Sequence, residues 1–173
     1  SSVTVTQVIY DPWINEFHYD NKGGDKGEFI EIAGNAGIDL TNWRIEAYNG
    51  NDGAVYSTIN LSGIISSQQN GYGTLAFNAT GLQNGGSDAL ALIDNNGNVI
   101  QFLSYEGTMT ATSGAAAGMI STDIGVAENS STNRNHTLQL SGTGKQYSDF
   151  TWQAPASKTK GTMNNNQTFL YCV

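Results

Sequence analysis

Apolar and polar positions alternate in short runs along most of the chain. Val3-Thr-Val-Thr-Gln-Val-Ile-Tyr10 is alternating and β-branched, which predicts a strand that Asp11-Pro12 ends. Runs at 14–17 and 28–32 predict the next two strands, with a loop over 19–27 between them. Trp43 to Tyr48 and Val55 to Leu61 flank Asn49-Gly-Asn-Asp-Gly53, where Asn and Gly supply the positive φ angles of a tight hairpin turn. Gly73 to Phe77 and Ala89 to Ile93 are short and continuously apolar, as central strands are. Asp94-Asn-Asn-Gly-Asn98 predicts a second hairpin turn, leading into a strand over 99–105, and later strands are predicted at 137–140 and 150–152. No stretch keeps a 3.6-residue period. Ala111 to Met119 has room for one helical turn, and the rest of 106–135 reads as a long ordered loop, functional or fixed by its own contacts. Short strands at regular spacing with turn signals between them predict an all-β fold, an immunoglobulin-like β-sandwich.

Composition sharpens that picture. A chain of 173 residues suits one all-β domain and is short for two. Charged residues are only 13%, so polarity comes from Asn, Ser, Thr, Gln and 21 Gly, as in secreted proteins rich in turns. The formal charge is −8, seven basic against fifteen acidic residues, so any nucleic-acid contact needs a local basic patch. In the sequence such clusters are Lys22/Lys26 and Lys158/Lys160. Cys172 has no partner cysteine within the chain: it is either a tail thiol or the half of a disulfide with a cysteine further downstream, which needs an oxidising compartment. Neither a leader of basic and apolar residues nor a run of transmembrane length occurs, as expected of a stretch excised from an exported protein.

Two motif groups invite chemistry. Asp20-Asn-Lys-Gly-Gly-Asp-Lys-Gly-Glu28 concentrates oxygen donors and glycines, which suits calcium, with Asp20, Asn21, Asp25 and Glu28 as ligands and Glu16 on the facing strand as a further one. The bland alternative is that Asp and Asn bond their own backbone in a turn. Trp13 in the proline-containing break, with Tyr48 and Tyr56 near turns, offers an exposed aromatic face for a ligand, while Trp43, Phe77 and Phe102 read as core. Catalysis by the chain itself is not expected. No Gly-x-Ser-x-Gly elbow and no His-Glu-x-x-His occurs, and His18, alternating with Phe17, reads as a surface or rim residue.

The run Ile14 to Ile32 with its acidic loop, Asp39-Leu-Thr-Asn-Trp43, Gly81 to Asp88 followed by Ala89 to Asp94, Val99 to Gly107 and Phe150-Thr-Trp-Gln-Ala-Pro155 resemble the lamin tail domain, in the bacterial branch found in secreted proteins and beside extracellular nucleases. The resemblance implies an immunoglobulin-like sandwich over 14–157, with 1–13 an extension or added edge strand and 158–173 a linker toward a downstream catalytic domain. It further implies a non-catalytic module, secreted or on the bacterial surface, that localises or orients the attached enzyme, with extracellular DNA, a cell-surface component or polysaccharide as possible contacts. The alternative is a carbohydrate- or surface-adhesion module, calcium-dependent if the acidic loop binds metal.

Overall fold

The computed structural model describes residues 7–171. Among the described residues there are eleven strands: β1 (Trp13–His18), β2 (Phe29–Asn35), β3 (Arg44–Tyr48), β4 (Val55–Asn60), β5 (Tyr72–Asn78), β6 (Ala89–Ile93), β7 (Val99–Ser104), β8 (Thr122–Asp123), β9 (His136–Gly144), β10 (Thr151–Ser157) and β11 (Gln167–Phe169). A single 3₁₀ turn covers Tyr147–Asp149, and no α-helix occurs among the described residues, 111–119 included. One sheet runs β10-β9-β1-β2-β5, with β11 joined in parallel to the end of β9. The other runs β4-β3-β6-β7-β8.

Alternation decides which side chains meet between the sheets. Ile14, Phe17, Ile30, Ile32 and Leu138 point from the first sheet toward Ile45, Ala47, Leu90, Leu92 and Leu103 of the second, in one buried cluster. Fully burying such a side chain contributes roughly 1.5–3 kcal/mol. Between Ile14 and Glu16 the register with β2 slips by one residue. This bulge puts Asn15 and Glu16 both on the outer face and returns Phe17 to the core.

Both sheets are also covered on their outer faces. Met109, Ala111 and Ala116 of the long loop close over Tyr48, Ala89, Ala91 and Phe102 on the second sheet. On the first sheet Phe150 and Phe169 close over Trp13, Ala33, Tyr72 and Leu140.

Several expectations change accordingly. Residues 3–6 of the first expected strand lie outside the described residues, and 7–10 form no strand. Gly73 to Phe77 belongs to β5, which among the described strands pairs with β2 alone and so lies at the edge of the described sheet. The segment expected to leave as a linker docks instead: β11 pairs with β9, and Leu170 N–H donates to Gly144 O at 2.9 Å.

Candidate functional site

The acidic loop between β1 and β2 is closed by its own hydrogen bonds. Asn21 Oδ1 accepts from Lys26 N–H at 3.1 Å, and its Nδ2 donates to the carbonyls of Lys22 and Gly24. Asp25 Oδ1 accepts from Asn21 N–H, and Oδ2 accepts from Asn84 Nδ2 at 3.0 Å. Asp20 is buried beside it. Burial raises its pKa, the Asn84 amide opposes the rise, and the charges of Asp25 and Glu106 add to it. Glu28 accepts from Gly81 N–H through Oε2 at 2.8 Å, and its buried Oε1 has no hydrogen-bond partner. The structure thus brings Asp20, Asn21 and Asp25 together, with Glu28 at the base of the loop.

Glu16 is not with them. It lies opposite Glu31 on the outer face of the first sheet, where both are fully buried. Glu16 Oε1 accepts from Thr137 Oγ1 at 2.6 Å and Thr159 N–H at 2.8 Å, and Oε2 accepts from Thr159 Oγ1. Glu31 Oε2 accepts from Gly161 N–H at 2.6 Å. Burial and the neighbouring Glu16 charge hold the Glu31 carboxyl well above its ordinary range, against the pull of the Gly161 and Asn15 donors. Beside them Asn15 and Gln167 exchange amide hydrogen bonds in both directions, at 3.1 and 2.7 Å. Asn164 Nδ2 bridges the carbonyls of Asn15 and Leu140. Thr159 and Gly161 belong to the C-terminal segment, so the acid expected as a fifth metal ligand instead helps to anchor that segment. Among the described residues no three His, Cys, Asp or Glu side chains form a group able to hold a metal ion.

His18 is buried, where a rim position was expected. Its Nδ1 lies 2.7 Å from Glu128 Oε1 and its Nε2 lies 3.1 Å from Asn21 Oδ1. The other bonds of Asn21 fix its oxygen toward the ring, so both ring nitrogens face acceptors, which favours the doubly protonated ring. Burial works against that charge, but the hydrogen bond to Glu128 and its charge outweigh it, and the His18 pKa is raised. Glu128 Oε2 accepts from Tyr19 and Asp20 N–H, and Tyr19 Oη accepts from Glu128 N–H while donating to Glu106 Oε1. This network ties the 106–135 loop to β1. An isolated Glu in a stretch of small residues gave no signal for it.

The aromatic face dissolves. Trp13 starts β1 with no exposed surface, stacked at 5.8 Å on Phe150 and donating Nε1–H to Asn15 Oδ1. Tyr48 is equally buried and donates to Glu46 at 2.6 Å, its hydroxyl pushed up to about 12, first by burial. Tyr56 is half-buried against the core and accepts from Gln83 N–H. None of the three presents a free ring.

Two sheets packed face to face around one apolar core define an immunoglobulin-like β-sandwich. The family model of the lamin tail domain matches residues 6–107, and the chain belongs to that family. The match ends just after β7, whereas β9, β10 and β11 complete the first sheet beyond it. Among curated proteins and among solved structures nothing matches.

Proposed function

We propose that this domain is a non-catalytic module of a secreted or cell-surface bacterial protein, an extracellular nuclease, and that it localises or orients the attached catalytic domain. The supporting observation is that buried His18 and the buried acids Glu128, Glu16 and Glu31 are each held by structural hydrogen bonds. None is poised as a free acid, base or nucleophile. Membership of the lamin tail family and the Asn- and Gly-rich, weakly charged composition agree with that role. The test is to incubate the purified domain with plasmid and linear DNA in magnesium, manganese and calcium. DNA recovered intact supports the reading, whereas cleavage that co-purifies with the domain overturns it.

A calcium-dependent form of the module is a second reading, favoured by the adjoining Asp20 and Asp25 carboxylates and the unpartnered Glu28 Oε1. Two carboxylates supplemented by amide and backbone oxygens suit weak binding, about 10⁻⁴–10⁻³ M as in other extracellular modules. The carbohydrate-adhesion alternative loses its main support with the burial of Trp13.

A further inference from the structure

We propose that the cavity walled by Lys22 and Arg134 is an oxyanion site that receives the phosphodiester backbone of a nucleic acid. This inference rests on the reading of the domain as an accessory module of a nuclease. Acidic residues outnumber basic ones fifteen to seven in this chain, so the composition favours acidic surface clefts. This one, about 570 Å³, is lined by Lys22, Gly23, Ser131, Asn133, Arg134 and Asn135, with no acid among them. Folding joins its two walls across more than a hundred residues: Lys22 N–H donates to Thr132 O at 2.9 Å, and Arg134 Nε–H donates to Lys22 O at 3.0 Å. The segment after β10 is tied to the same wall, since Lys158 N–H donates to Asn135 O at 2.7 Å.

The guanidinium is placed before any ligand arrives. Its Nε is fixed by the Lys22 carbonyl, and Gly23, at φ +86°, leaves room for it: a Cβ there would fall 2.5 Å from Nη2. The ion pairs among the described residues are His18–Glu128 and Arg44–Glu46, so neither Lys22 nor Arg134 is paired with a carboxylate of the described residues. A fixed planar fork with free terminal nitrogens suits bidentate contact with a phosphate, and Lys22 adds a mobile point charge. The polar lining supplies Asn and Ser side chains and no aromatic ring, which fits recognition of the backbone without base stacking.

The remaining acidic surface keeps such binding weak and sensitive to salt. With two phosphate contacts, the logarithm of the binding constant falls on a duplex with a slope of about −1.8 against the logarithm of salt concentration. The experiment is fluorescence anisotropy of a short labelled duplex with the whole chain across a salt series. Both side chains are exposed, so the double variant K22A/R134A leaves the fold intact, which a thermal melt verifies. The expected result is a loss of about tenfold in affinity and a salt slope reduced by about one per cation removed. R134K is expected to retain the charge and to lose part of the affinity. Undiminished binding by K22A/R134A, no binding of the duplex at low salt, or binding of a sulfated polysaccharide in preference to the duplex each overturns the proposal. Those failures leave the accessory-module reading standing. Cleavage of the duplex by the domain overturns that reading, and the anisotropy of the double variant still decides the site.

Discussion

The first sheet has two buried faces built by different chemistry. Its inner face is apolar: Ile14, Phe17, Ile30, Ile32 and Leu138 meet the second sheet, and the contact stabilises by area alone. Its outer face holds Trp13, Tyr72, Leu140 and Phe169 beside Asn15, Glu16, Glu31, Gln139, Asn164 and Gln167, every one of them buried. A polar interior demands that each group find its partner, and most of the partners come from residues 159–169. The inner face therefore tolerates changes that keep volume, while the outer face depends on one segment docking in one register.

The sharpest way to break this comparison is to end the chain at Ser157. That uncovers Trp13, Tyr72 and Leu140, and strips Glu16 and Glu31 of the Thr159 and Gly161 donors. The expected loss is about 5 kcal/mol or more, on the scale of a whole domain's stability, and circular dichroism would show no cooperative melt. Single truncations then compare the two faces directly. Phe169→Ala on the outside is expected to cost about 3–5 kcal/mol and Leu92→Ala on the inside about 2–5 kcal/mol in urea denaturation. A cost near zero for Phe169→Ala would make the outer cover ornamental.

Titration separates the faces next. The Glu31 carboxyl lies well above its ordinary 4.5, and Glu16 is raised too, each chiefly by burial. A carboxyl raised in the folded state binds extra protons there, so its contribution to stability falls as pH rises from the unfolded value through the folded one. His18 is raised above its ordinary 6.5, so its contribution is complete below that value and is lost as pH climbs through the folded one. All three therefore predict lower stability in mild alkali than in mild acid. Urea midpoints from pH 5 to pH 9 measure it, and Glu31→Gln is expected to flatten the acidic part of that slope. The smallest effect is expected at the acidic loop: millimolar calcium raises the melting midpoint by a few degrees at most, and Asp25→Ala abolishes the rise. An unmoved midpoint removes calcium from the account.

The inner face was legible in the sequence because Ile30 and Ile32 alternate with Glu31, and Asn- and Gly-rich turns set off the strands. The same alternation misled about the other side. It states which residues share a face but not whether water reaches it, so Glu16 read as a metal ligand and His18 as a rim residue although later segments bury both. Trp13 read as exposed for the same reason, since its partners Phe150 and Phe169 lie more than a hundred residues away. Arg134 carried no sign of its cavity because Lys22 joins it only through the fold.

Native-state hydrogen exchange tests most directly whether the outer face is a second interior. The amides of Thr159, Gly161, Phe169 and Leu170 donate to Glu16, Glu31, Gln69 and Gly144. The account predicts that they exchange only through global unfolding, with the protection shown by β2 and β6 in the core. Rapid exchange of those four amides while β2 and β6 stay protected would show the segment fraying from a sandwich already complete without it, and would contradict the account.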